Sequence, residues 1–192
     1  MKKGRLEAFS DGVIAILITI MVLELRVPEG TSWEALRPII PVLLSYVLSF
    51  IYLGIYWNNH HHLIHVSNQI SGGVLWANLH LLFWLSLVPF VTAWMGHNHF
   101  APLPTALYGV IMLMAAIAYT ILQTTIMAVE GEQSRVREAI GGDAKGKISL
   151  LLYASAIPLA FVNELISDCI YVLVAMMWLV PDRRLESRIR AE

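Results

Sequence analysis

Arg5-Leu6-Glu7-Ala8-Phe9-Ser10-Asp11-Gly12-Val13-Ile14-Ala15-Ile16-Leu17-Ile18-Thr19-Ile20-Met21-Val22-Leu23 is the stretch whose reading decides the fold. It opens with charged and hydroxyl side chains and then runs apolar to Leu25, with Thr19 and Glu24 the polar exceptions. A run of this kind asks for hydrocarbon as its solvent. Ionisable groups at its mouth are costly unless they are paired or face a cavity.

The rest of the 192-residue chain repeats the pattern, with 57% hydrophobic and only 14% charged residues and a mean hydropathy of +0.65. A soluble domain carries about 25% charged residues. The net charge of −1 provides no basic field for nucleic acid. Cys169 is the single cysteine, so no intrachain disulfide framework exists. It sits in an apolar run and reads as a small buried hydrophobe.

Moving outward, Val27-Pro28-Glu29-Gly30 ends the first run. Further apolar runs cover about Pro38 to Ile64, Val74 to Met95 and Thr105 to Val129. The stretch from Gly96 to Pro104, holding Pro102 and Pro104, reads as a loop. Glu130 to Lys147 is polar, with Gly141-Gly142 near its middle. The last run, Ile148 to Val180, is interrupted at Asn163-Glu164 and Ser167-Asp168, and divides into about Ile148–Val162 and Leu165–Val180. The expectation is an all-α polytopic membrane protein, one domain over residues 1–192 with six transmembrane helices.

The basic residues orient it. Lys2, Lys3 and Arg5 precede the first span; Arg135, Arg137, Lys145 and Lys147 lie between the fourth and fifth; Arg183, Arg184, Arg188 and Arg190 follow the sixth. Only Arg26 and Arg37 fall in an outer loop, so both termini are expected in the cytoplasm and the protein in the cell membrane as a multi-pass chain. The basic start would also suit a signal peptide, but Asp11, Glu24 and the lack of a small-x-small cleavage pattern favour a retained span.

Within the first span, Ser10 and Asp11 suit a helix cap and an interfacial anchor as well as they suit a functional site. Ile16, Thr19, Ile20 and Leu23 recur at i, i+3, i+4 and i+7 and share one face. By periodicity alone that face fits packing or lipid contact better than a pore. Thr19 is its single polar member and can satisfy itself on a backbone carbonyl.

Three groups of residues carry a family resemblance. Arg5-x-x-x-Phe9-Ser10-Asp11-Gly12-Val13-x-Ala15-Ile16, continuing to Leu23-Glu24-Leu25-x-Val27-Pro28, resembles the first helix of the transmembrane protein 175 potassium channels. Trp57-Asn58-Asn59-His60-His61 resembles that family's Trp-x-x-His element, and Asn78-Leu79 with Leu87-Val88-Pro89-Phe90 its third helix. The resemblance covers the first half in identifiable residues and the second half as hydropathy. It implies a potassium-permeable homotetramer of six-helix subunits in a lipid bilayer, with potassium as permeant ion and no cofactor. Four first helices would line the pore, with Ile16 as bottleneck, Ile20 and Leu23 as further apolar rings, and Thr19 adding hydroxyls. Arg5, Phe9, Ser10 and Asp11, with Trp57, His60 and Asn78 as partners, would bracket the helix. Asp11 and Glu24 would draw cations to the inner and outer mouths.

Other chemistries find less support. His61 and His65, at i and i+4, have a metal-binding spacing, but no nearby Cys or Glu completes a site. They leave a histidine-dependent metal or proton-coupled transporter as an alternative, beside a structural subunit that transports nothing. No Ser/His/Asp arrangement, His-Glu-x-x-His motif or glycine-rich phosphate loop is present, so no enzyme activity is expected.

Overall fold

A computed structural model describes residues 3–67, 69–131, 134, 136–137 and 143–179. Gly141-Gly142, Arg135 and the charged tail from Pro181 lie outside the described residues. Among those described, the regular elements are helices: α1 Lys3–Val22, α2 Trp33–Leu36, α3 Ile40–Val66, α4 Gly72–Ser86, α5 Val88–His97, α6 Pro102–Glu130, α7 Ala144–Leu159 and α8 Glu164–Leu179. A 3-10 turn, Arg37–Ile39, joins α2 to α3. The result is six helical rods: α1, α2–α3, α4–α5, α6, α7 and α8.

Three of the rods, Trp33–Val66, Gly72–His97 and Pro102–Glu130, are long and apolar enough to cross a membrane on their own. α1 carries Lys3, Arg5, Glu7 and Asp11 in its first half. α7 and α8 have 16 residues each. At 1.5 Å per residue each of those two rises about 24 Å, a little short of the hydrocarbon thickness.

Local chemistry sets the ends. Past Val22, the turn Leu23–Leu25 tightens through Leu23 N–H to Ile20 O (3.0 Å) and Leu25 N–H to Val22 O (3.1 Å). Ser71 caps α4 by accepting from Val74 N–H at 3.3 Å. Pro89 cannot donate, and the third span breaks at Leu87 into α4 and α5. Pro102 and Pro104 are not in a loop as their sequence context suggested: they open α6. The first turn of a helix has no intrahelical use for the N–H groups that proline lacks. Before it, His99 (φ 51°) and Phe100 (φ 60°) take left-handed backbone, and Phe100 N–H closes back on Met95 O at 2.9 Å.

The last run divides at residues 160–163, where Asn163 accepts from Leu165 N–H at 3.0 Å. Ser167 does not interrupt α8. Its buried hydroxyl donates to Ala156 O at 2.7 Å and ties α8 to α7.

α6 is the hub, packing on α4, α5, α7 and α8, while α3 packs on α1, α5 and α8. Leu81, Leu85, Val91, Met95, Met112, Leu122 and Ile126 are fully enclosed between them. Buried hydroxyls are satisfied across helices: Tyr52 donates to Tyr171 O (2.5 Å), Tyr171 to Thr105 O (3.0 Å), and Ser49 meets Thr92 (2.6 Å) and Tyr108 (3.1 Å). Phe83, Leu151, Leu173 and Met176 point outward, as lipid-facing residues do, and Cys169, expected to be buried, is exposed on α8 with them.

α3 and α5 approach closely at Gly96, where an added Cβ would lie 2.4 Å from Ser45 Oγ and 2.7 Å from Val42 Cα. Gly96→Ala should destabilise the fold by about 1–3 kcal/mol. Gly54→Ala, where a Cβ meets nothing within 4 Å, should not; thermal unfolding of the two variants in detergent makes the comparison.

Candidate functional site

α1 has two faces of opposite character. Leu6, Ser10, Ile14, Leu17 and Met21 are buried at spacings of four, four, three and four. They pack against α3, α4 and α5. The opposite stripe, Arg5, Phe9, Gly12, Ile16, Thr19 and Leu23, is exposed throughout, and Ile20 beside it is exposed as well.

The buried face holds a directed chain of hydrogen bonds. Ser10 donates its one proton to Leu6 O at 2.9 Å. Its oxygen is therefore left to accept, and Asn78 Nδ2 donates to it at 2.9 Å. That fixes the Asn78 amide, so its carbonyl oxygen faces His60 Nε2 at 2.7 Å. His60 must then carry its proton on Nε2, and Nδ1 is left as a buried acceptor with no hydrogen-bond partner. Ser10, His60 and Asn78 are all fully buried.

Beside this chain runs a ladder between antiparallel helices. Lys3 Nζ donates to His65 O and, at 3.0 Å, to Ser67 O. Glu7 pairs with His61 Nδ1 at 2.9 Å. Trp57 Nε1 donates to Asp11 Oδ1 at 3.0 Å. Positions 3, 7 and 11 of α1 thus meet 65, 61 and 57 of α3, four residues apart on each side. The lowest rung places an ammonium on the last carbonyls of α3, where the helix dipole favours a cation.

The structure links Asp11 to Trp57, and Ser10 to Asn78 and His60. Arg5 and Phe9 sit elsewhere, on the exposed stripe; Phe9 is 53% exposed. Lys3, Glu7 and His61 belong to the ladder; the sequence singles out His61 for its spacing with His65 and Lys3 for its charge, and gives none of the three as a partner across helices. The legible signal was the matching four-residue spacing in segments 3–11 and 57–65. No Glu neighbours His61 along the chain, yet folding delivers Glu7. Even so, among the described residues no group of three His, Cys, Asp or Glu side chains is arranged to hold a metal ion.

On the exposed stripe Ile16 is 57%, Ile20 43% and Leu23 78% accessible. Leu23 lies in the turn just beyond the helix end. Thr19 donates within its own helix, to Ile16 O (2.9 Å) and Ala15 O (3.1 Å), which leaves its oxygen lone pairs facing out.

A family model described as endosomal/lysosomal potassium channel TMEM175 matches residues 5–89, the segment that holds α1 from Arg5 onward, the Glu7–His61 and Asp11–Trp57 rungs and the Ser10–Asn78–His60 chain. A potassium channel from Chryseobacterium sp. (strain P1-3) is 56% identical over 190 residues, 99% of each chain. The chain belongs to the TMEM175 family. A potassium channel from Streptomyces collinus is 29% identical over 92% of this chain and 91% of its own length. The crystal structure of a lysosomal potassium-selective channel TMEM175 homolog from Chamaesiphon minutus superposes with a TM-score of 0.80 at 28% identity, covering 94% of this chain and 97% of that one. Six helices in this arrangement are therefore the family fold, in the second half of the chain as well as the first.

Asn78→Ala would strand both His60 Nε2 and Ser10 Oγ. It should cost about 1–3 kcal/mol of stability. In a double-mutant cycle followed by unfolding, Ser10→Ala added to Asn78→Ala should cost less than Ser10→Ala alone, because the two share one chain.

Proposed function

We propose that this chain is the subunit of a potassium-permeable channel in which four copies set α1 around a central axis. The observation that carries this reading is the unpartnered apolar stripe of α1, Ile16 to Leu23, on a helix whose other face is fully packed. Its relatives' naming as potassium channels supplies the ion. Four Ile16 side chains around an axis make an apolar constriction that closes by dewetting and passes a partly hydrated cation when dilated. Such a ring gives no oxygen ligands, so ion preference falls to groups beside it, Thr19 among them. Ile20 and Leu23 form further apolar rings toward the outside.

In this arrangement Ser10, Asp11, Trp57, His60 and Asn78 hold α1 in rotation against α3 and α4, joined by Glu7 and His61. Asp11 is engaged by Trp57, so its charge serves the bracket first and the inner mouth second. Arg5 and Phe9, on the same stripe as Ile16, face the neighbouring subunits or the inner mouth. Both termini lie in the cytoplasm, as the basic residues require, and the protein is a multi-pass component of the cell membrane. It passes ions and is proposed to catalyse no reaction.

The transporter reading draws on His61 and His65. Their rings stack at 5.9 Å, and His61 is committed to Glu7. Neither lines the cavity between α3, α6, α7 and α8, nor the grooves along α1 and α8. A structural subunit would bury Ile16 against another helix, whereas it is more than half exposed.

Potassium and sodium flux from liposomes holding the purified protein tests the channel. Wild type should pass potassium in preference to sodium, and Ile16→Asn, by wetting the constriction, should raise flux several-fold and weaken the preference. An absence of flux from folded protein removes the channel; flux indifferent to Ile16→Asn moves the bottleneck elsewhere. Native mass spectrometry should return four chains per particle.

A further inference from the structure

A cavity lies away from α1, between α3, α6, α7 and α8, with about 50 Å³ of enclosed space behind an open mouth. No residue of α1 lines it. Its walls are aromatic: Tyr56, Tyr119, Tyr153 and Trp178. These rings are held in place. Tyr56 and Tyr119 meet edge-on at 6.2 Å, Tyr119 donates to Asn59 O at 3.1 Å, and Trp178 Nε1 donates to Ser149 Oγ at 2.8 Å.

Asp143 is the one carboxylate among the described lining residues, which include no Lys, Arg or His. Its carboxylate caps α7 by accepting from Gly146 N–H at 3.1 Å, which fixes it at the mouth while leaving acceptor capacity on the other oxygen. The rim of the cavity already carries a cation of the protein's own: Lys145 Nζ lies 5.9 Å from the centre of the Trp178 ring.

We propose that this cavity binds a small organic ammonium ion, a protonated amine or quaternary ammonium with an apolar body. The head sits toward Asp143 and the ring faces, and the body lies along Ile55 and Ala116. Ring faces carry negative quadrupole density and attract cations, most strongly when water is excluded. The carboxylate repels an anion. The apolar walls cannot replace the water that a hydrated metal ion would have to shed. A quaternary ammonium needs no such replacement, since its charge is spread over C–H groups, and a protonated amine would give its N–H to the Asp143 carboxylate.

Calorimetric titration of the full chain in lipid nanodiscs with benzyltrimethylammonium tests this, with benzyl alcohol as the uncharged comparator. One saturable site per chain is expected, with no comparable binding of benzyl alcohol. Asp143→Asn should weaken binding about tenfold, because it removes the charge while an asparagine keeps the cap and tolerates the backbone φ of 40°. Trp178→Leu should weaken it similarly, with Tyr119→Leu taking its place if that variant does not unfold cooperatively. Ile16→Asn should leave binding unchanged. Equal binding of benzyl alcohol would reduce the cavity to an apolar crevice and overturn the proposal. Binding indifferent to Asp143→Asn, or abolished by Ile16→Asn alone, would overturn it too, the latter by placing the probe in the ion pathway.

Discussion

Ser10 has one proton to give, and it gives it to its own helix. From that follows the direction of every hydrogen bond behind α1: Asn78 must donate to Ser10, its carbonyl must face His60, and His60 must hold its proton on Nε2. In a site closed to water these groups have only each other, so the penalty for misplacing one is the desolvation of the rest. The chain therefore works as a rotational lock. Turning α1 by one residue would break it and would also expose Leu6, Ile14, Leu17 and Met21. The presentation of Ile16 on the opposite face is a consequence of satisfying Ser10.

The lock is at one end. Rungs between α1 and α3 occur at Lys3, Glu7 and Asp11, and above Asp11 the helix is held by apolar contact. Hydrophobic contact is non-directional and tolerates sliding, whereas a hydrogen bond between fixed dipoles does not. The half of α1 that carries Ile16, Ile20 and Leu23 is thus the half with directional freedom. Its polar half is tied to the scaffold. That distribution suits the proposed constriction, in which an apolar ring would change diameter without the helix leaving its seat.

The scaffold behind it is stiff for a complementary reason. α6 packs on α4, α5, α7 and α8, and the buried hydroxyls of Ser49, Tyr52, Thr92, Tyr108 and Tyr171 are spent on one another or on backbone carbonyls. The close crossing of α3 and α5 at Gly96 adds a contact that admits no side chain. The aromatic cavity opens where this frame loosens, between α3, α6, α7 and α8 and beside the cap of α7.

Hydropathy by itself determined the helical class, the number of rods and most of their limits, because lipid leaves a backbone no other way to satisfy its N–H and C=O groups. It misplaced Pro102 and Pro104, since a proline that ends one helix and a proline that begins the next look alike until the N–H inventory of the turn is known. The motif residues Ser10, Asp11, Trp57, His60 and Asn78 could be named in advance from family resemblance. Their order of donation could not, and neither could the ladder partners Lys3, Glu7 and His61. Both depend on which faces of α1, α3 and α4 meet, and on antiparallel packing that sets position 7 against position 61. A sequence records the spacing within each helix; the rotation and register of one helix against another are decided only when side chains from distant segments compete for the same buried space and the same few protons.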